Sequence, residues 1–238
     1  MISSMIILDH SVDWKPDGYF KNASKFAESI VTVDLTNNTY KYLTGHVIDD
    51  RTLFPATGYL VIVWETFAEL NKTPKNKFPV LFQDVHFVRA TIMPKSGTVN
   101  FLVNIFVGSG KFEVCENGSI VAYGYIKSCE GLDIDRYQIN DPEDQLINME
   151  LNQNEFYKEF KLRGYQHDDL FKAVLKSDID GNTAVIEWKD NWVTFIDGLL
   201  QFCIMFGNSR NLCLPSSIKK IIIDPIQHSS LAKDEQSI

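Results

Sequence analysis

The sequence predicts an α+β fold in which antiparallel sheets wrap around buried central helices. Three observations carry this expectation. Residues 59–70 are apolar on nearly every face, and a helix of that kind lies inside a fold rather than on its surface. Residues 78–126 then read as successive strands broken by turn residues, which supplies a sheet to enclose the helix. The same order returns later, where residues 192–197 lead through Asp197 into a second mostly apolar stretch, 198–207. The letters differ but the arrangement repeats, so two copies of one module are expected.

Taken in order, residues 1–28 are mixed, with Trp14, Pro16 and Gly18 marking an irregular lead-in. Ile30-Val31-Thr32-Val33-Asp34-Leu35 alternates and is β-branched, which predicts a strand closed by Asn37-Asn38-Thr39. Residues 40–47 read as a short extended piece carrying His46, and the buried helix follows over 56–70 with Pro55 at its entry. Strands are expected over 78–92, 98–107, 111–116 and 119–126, the last two joined by Asn117-Gly118, a two-residue hairpin signal. A sheet around one all-apolar helix is the hotdog arrangement. Residues 131–154 are polar and acidic and read as a linker. A short helix over 155–164 should turn Phe156, Phe160 and Leu162 inward and end at Gly164. A strand over 183–188 precedes the second apolar helix, and only one clear strand, 218–224, follows it. The expected organisation is an N-terminal hotdog module (1–130), the linker (131–154) and a truncated C-terminal module (155–238). The expected whole is a double hotdog whose second half is short, either as a piece of a longer chain or because its sheet is genuinely smaller.

The bulk numbers narrow the function. The chain has 238 residues, 45% hydrophobic and 23% charged, in line with a globular fold holding a sizeable core. A net charge of −8 with no basic run argues against nucleic-acid binding, which needs clustered Lys and Arg. Cys115, Cys129, Cys203 and Cys213 show neither a CxxC pair nor metal-ligand spacing and read as reduced thiols. No signal peptide and no apolar run of membrane-spanning length are visible, so a cytoplasmic location is expected.

His46 and Asp197 occupy corresponding places, each placed by the pattern at the start of a buried helix. If the two modules pack helix to helix, an imidazole and a carboxyl group share one cleft. A base and an acid with differently tuned pKa values suit β-elimination of water, and helix-start amides such as those of Ala56 or Gly58 would polarise a thioester carbonyl. Spacing alone also accommodates a structural histidine and a helix-capping aspartate. His86 alternates with Val85 and Phe87 and reads as a surface or hydrogen-bonded residue, His10 and His228 show no partner pattern, and His167 lies in a loop. Phe101, Phe106, Phe112, Tyr123 and Tyr125 fall at strand spacing and read as core.

A resemblance adds to this reading. The run His46-Val47-Ile48-Asp49-Asp50-Arg51-Thr52-Leu53-Phe54-Pro55-Ala56-Thr57-Gly58-Tyr59-Leu60 closely resembles the dehydratase domain of animal (insect-like) fatty acid synthases. It resembles that of modular polyketide synthases more loosely. The likeness continues through Phe82-Gln83-Asp84-Val85, residues 90–99, Leu162-Arg163-Gly164-Tyr165 and Phe195-Ile196-Asp197-Gly198-Leu199-Leu200-Gln201, in the same order. It implies a pseudodimeric double hotdog that dehydrates a 3-hydroxyacyl chain, tethered to acyl carrier protein, to the trans-2-enoyl product. By the resemblance His46 is the catalytic base, Asp197 acts on the hydroxyl, and Gln201, one helical turn on, orients Asp197. Pro55, Ala56, Gly58, Tyr165 and Phe171 are then the expected substrate-binding residues. No metal or cofactor is implied for the domain itself; NADPH and phosphopantetheine belong to other modules of a synthase that is a homodimer. Two departures stand out. Asp50 occupies a place where the family usually has glycine, which implies backbone strain or a carboxylate raising the basicity of His46. The family's Tyr-Gly-Pro-x-Phe motif appears as His167-Asp168-Asp169-Leu170-Phe171. A catalytically silent dehydratase-like domain and a hotdog thioesterase are the competing readings.

Overall fold

A computed structural model describes residues 26–129, 149–207 and 209–234. The larger sheet has six strands in the order β1-β5-β6-β7-β4-β11. These are β1 (Phe26–Asp34), β4 (Val80–Phe87), β5 (Thr98–Phe106), β6 (Lys111–Glu116), β7 (Ser119–Ser128) and β11 (Ser217–Ile223), and every neighbouring pair is antiparallel. The alternation in β5 and β6 turns Val99, Phe101, Val103, Ile105, Phe112 and Val114 to one face. Against that face lies α1 (Ala56–Leu70), whose Leu60, Val63 and Trp64 are fully buried. Asn117 and Gly118 both have positive φ, 50° and 76°, the geometry a two-residue turn needs to match the twist of β6 and β7.

Three expectations in this half need correction. Residues 40–47 are not extended: Lys41–Gly45 forms a 3-10 helix. The strand expected over 78–92 ends at Phe87, because the chain beyond it takes a different partner. Phe54 N–H donates to the Thr91 carbonyl (2.9 Å) and Met93 N–H to that of Thr52 (2.8 Å). Tyr123 and Tyr125 lie on the outer face of β7, 37% and 45% exposed. His86, an exposed residue as expected, stacks on Tyr123 at 5.0 Å between centroids.

The smaller sheet has the order β10-β9-β8, built from β8 (Glu150–Asn152), β9 (Val174–Asp178) and β10 (Ala184–Ile186). Most of the expected linker lies outside the described residues, but β8 falls within its C-terminal end. Among the described residues, the smaller sheet thus takes in β8, ahead of the helix expected from 155. It continues into α2 (Gln153–Leu162), started by a capping box in which Asn152 and Glu155 bond each other's backbone N–H. Phe156, Tyr157 and Phe160 are buried while Leu162, expected inward, is 79% exposed. Six residues carry it about 240° around the helix from Phe156, to the opposite side.

α3 (Trp192–Met205) packs against α1: the Thr57 hydroxyl donates to the Val193 carbonyl (3.0 Å) and Trp64 meets Trp192 edge-on at 5.4 Å. The strand after α3 does not extend the smaller sheet. β11 pairs with β4 in the larger one, with Ile221 opposite Phe82 and Ile223 opposite Val80. The C-terminal chain thus crosses back to the first unit and ends in α4 (Pro225–Asp234). His228 on α4 sits among the rings of Trp188, Trp192 and Phe195, at 4.3, 4.9 and 5.0 Å, so it has partners the pattern did not reveal. His10 lies outside the described residues.

Candidate active site

His46 follows directly on the 3-10 helix as its C-cap. Gly45 before it is required by packing, since a Cβ there would lie 2.4 Å from the Asp168 carbonyl oxygen. Nδ1 of His46 lies 2.8 Å from the Leu53 carbonyl. A carbonyl only accepts, so Nδ1 carries the hydrogen and the lone pair is on Nε2. That Nε2 faces Oδ1 of Asp197 across 3.8 Å, and both side chains are buried.

Asp197 is not placed before its helix, as the pattern suggested; it is the sixth residue of α3. His46 lies ten residues ahead of α1 rather than at its first turn. What brings them together is long-range pairing. The short hairpin β2 (Val47–Ile48) and β3 (Arg51–Thr52) is bound to the second unit. Asp49 N–H donates to the Gly164 carbonyl (2.9 Å) and Gln166 N–H to that of Val47 (2.8 Å).

Gln201 Nε2 donates to Asp197 Oδ2 (2.7 Å) and to the Phe171 carbonyl (2.9 Å). Its Oε1 accepts from the Tyr157 hydroxyl (2.7 Å), which in turn accepts from Val174 N–H (3.0 Å). The amide is therefore fixed in one orientation. Burial raises the Asp197 pKa above the ordinary carboxylate value, opposed by His46 and Gln201. Because Oδ2 is occupied as an acceptor, a proton on this carboxyl group sits on Oδ1, facing His46. The Nε2 lone pair thus faces, across 3.8 Å, the oxygen of a carboxyl group whose hold on its proton burial has strengthened. Tyr157 had no signal in the sequence: it lies 44 positions from Gln201 on a different helix.

The pair opens on a cavity of about 210 Å³ whose wall includes Ile48, Leu53, Phe54, Tyr59, Leu200 and Ile204. Exposed Val88 and Leu214 also line it, so it reaches the surface on that side. Ala56 and Tyr165 line the cavity, whereas Pro55 and Gly58 do not. The Gly58 N–H donates to the Pro55 carbonyl (2.9 Å), which removes it as a donor to a bound carbonyl and leaves Ala56, the first residue of α1, at the wall. Phe171 supports the site from behind, its ring 5.0 Å from that of His46. Tyr165 fixes the segment after α3 by accepting from Cys213 N–H (2.7 Å) and donating to its carbonyl (2.6 Å).

The two departures noted against the resemblance have distinct outcomes. Asp50 has φ 59° and Asp49 φ 50°, so the backbone at the usual glycine position is in the left-handed region that disfavours a side chain. The Asp50 carboxylate turns away, accepting from Gln166 Nε2 (2.7 Å), while Asp50 N–H donates to Gln166 Oε1 (2.9 Å). His167 lies against the site: its ring stacks on that of His46 at 4.8 Å and 19°. Burial, with His46 adding a smaller effect, holds its pKa well below the usual histidine value, so it is neutral at pH 7.

Residues 21–116 match the family model of the polyketide synthase dehydratase domain. Solved dehydratase domains are similar over most of the chain. One is the CurJ module of curacin polyketide synthase, at 15% identity and TM-score 0.63, covering 84% of this chain and 75% of that one. GphF dehydratase 1 gives 12% identity and TM-score 0.65 over 85% and 77%. A trans-AT polyketide synthase dehydratase domain from Brevibacillus brevis gives 13% and 0.63 over 83% and 77%. At these identities the likeness to solved structures is one of fold. Over residues 21–116 the chain carries the sequence pattern of polyketide synthase dehydratase domains, and over its described residues it has their mixed, antiparallel-sheet fold.

Proposed function

We propose that this chain is the dehydratase module of a type I fatty acid synthase, built as a double hotdog with a reduced second half. It eliminates water from a 3-hydroxyacyl thioester, presented on the phosphopantetheine arm of acyl carrier protein, to give the trans-2-enoyl thioester. The observation that carries this reading is His46 Nε2 facing Asp197 Oδ1 at 3.8 Å over an apolar cavity. The lone pair on Nε2 takes the proton from carbon 2, and the proton on Oδ1 goes to the departing 3-hydroxyl group. Gln201 holds Asp197 in place, and the α1 N-terminus at Ala56 stabilises negative charge developing on the thioester oxygen. The reaction is redox-neutral, so its chemistry calls for no NADPH within this module.

The dehydratase relatives support these roles by their own behaviour. In CurK dehydratase a histidine-to-phenylalanine mutant and an aspartate-to-asparagine mutant are inactive. The choice of a fatty acid synthase over a polyketide synthase rests on the motif resemblance from His46 to Leu60. Either parent would present the substrate on a carrier protein within a multidomain synthase, and a homodimeric, cytoplasmic synthase is part of this proposal. Among the described residues no helix is long and apolar enough to cross a membrane. His167 against the His46 ring favours one second reading, a silent domain whose base is blocked.

The test is to supply an unbranched 3-hydroxyacyl thioester and follow enoyl absorbance. The expected result is turnover that His46→Ala abolishes. Absence of turnover by the unmodified chain favours the silent reading, and turnover of 2-methyl-branched substrates alone favours the polyketide setting.

A further inference from the structure

We propose that His46, His167 and Asp197 form a site for a divalent transition-metal ion of the Zn²⁺ class, and that the ion switches the module off by occupying its base and acid. The blocking effect rests on the dehydratase reading; the binding does not. Two imidazoles and a carboxylate are a donor set suited to Zn²⁺, and one ligand atom from each residue lies within 4.8 Å of the others. Donors about 2.0–2.2 Å from a tetrahedral ion sit roughly 3.3–3.5 Å apart. The 3.8 Å between His46 Nε2 and Asp197 Oδ1 thus needs a few tenths of an ångström of contraction, and the widest pair of the three, at up to 4.8 Å, needs about 1.3 Å.

The surroundings are those of a supported metal site. Metal-binding imidazoles commonly donate their other N–H to a carbonyl, and ligating carboxylates are themselves hydrogen-bonded. Here His46 Nδ1 donates to the Leu53 carbonyl, leaving Nε2 for the ion. Gln201 donates to Asp197 Oδ2, leaving Oδ1. His167 supplies an independent observation: it is buried, and its Nδ1 has no hydrogen-bond partner. A buried polar atom left unpaired calls for an explanation. The ring contact with His46 holds this imidazole beside the pair. All three residues line the cavity, so a fourth coordination position faces space that water or substrate can enter. A bound ion takes the Nε2 lone pair and the Oδ1 oxygen that the elimination uses, and the proton on Oδ1 passes to solvent as the ion binds.

The experiment uses the full chain, stripped with EDTA and titrated calorimetrically with Zn²⁺, with Co²⁺ as a spectroscopic probe. Expected are one ion per chain and tetrahedral Co²⁺ absorption without a thiolate charge-transfer band. Zn²⁺ should also raise the unfolding temperature and arrest enoyl formation, which EDTA restores. His167→Tyr or His167→Phe should weaken Zn²⁺ binding at least ~10-fold, the scale already associated with outer-shell changes, while C203S/C213S should not. The wild-type Co²⁺ spectrum needs no variant to fold. No stoichiometric binding, a thiolate band, or affinity unchanged in both His167 variants overturns the proposal. Stoichiometric binding with no turnover in EDTA supports the ion site and counts against the dehydratase reading.

Discussion

α1 and α3 lie side by side, yet they meet different surroundings. α1 is enclosed by the larger sheet, and Leu60, Val63 and Trp64 on it are 0% exposed. α3 has the three short strands of the smaller sheet on one side, and Leu199 remains 42% exposed. The polar residues divide the other way. α1 puts its volume into packing, with Trp64 tied to the Phe78 carbonyl (2.9 Å). α3 carries Asp197 and Gln201 on its buried side. One helix holds the fold together, and its neighbour presents the buried polar pair that the proposed elimination would use. The difference teaches that burial of a polar stripe, rather than full enclosure of a helix, is what the site needs.

Four substitutions sharpen or break that division. Asp197→Asn keeps the shape but removes the acid, and turnover should fall by about 10²–10⁴-fold, the usual contribution of general acid–base catalysis. Its urea midpoint should hold or rise, because a buried acid is replaced by a neutral amide; a large fall in stability would make Asp197 structural. Leu60→Ala should have the reverse profile, losing about 2–5 kcal/mol in urea unfolding with kcat little changed where the chain stays folded. Tyr157→Phe probes the link between the two. It leaves Gln201 Oε1 and Val174 N–H without their hydroxyl partner, which should cost about 1–3 kcal/mol and slow turnover through Asp197, seen in kcat rather than KM. Leu199→Ala, on the bare face of α3, should shift stability by no more than about 0.5 kcal/mol. A loss on the scale of Leu60→Ala would show that α3 is enclosed in solution after all.

A fifth outcome concerns pH in the second unit. Glu159 accepts from Arg210 (2.6 Å) and Arg163 (2.9 Å), and these bonds lower its pKa from 4.5. Its contribution is present above that value and is lost as pH falls through the lowered one. Glu159→Gln should therefore flatten acid unfolding slightly below about pH 4.5 and change the neutral-pH midpoint little, since solvent reaches and screens this half-buried group.

Much of the first unit was legible in the order of residues. The limits of α1, the strands β5, β6 and β7, and the turn at Asn117-Gly118 follow from periodicity and turn chemistry, which act between near neighbours. The pairing of Gln201 with Asp197 follows from a four-residue spacing on one helix. Choosing His46 and Asp197 out of the chain's titratable residues took the resemblance, because nothing local joins positions 151 apart. What only the tertiary structure decided shares one feature, long sequence separation. β11 returned to β4 because its apolar residues completed the larger sheet, and Tyr157 reached Gln201 because α2 and α3 close on each other. His167 came to rest on His46 because the chain around Asp168 docks on Gly45 (2.9 Å). Local pattern determined which residues form helices and strands; the packing of distant elements decided which of them meet, since those contacts depend on the whole chain's burial rather than on any segment's own preference.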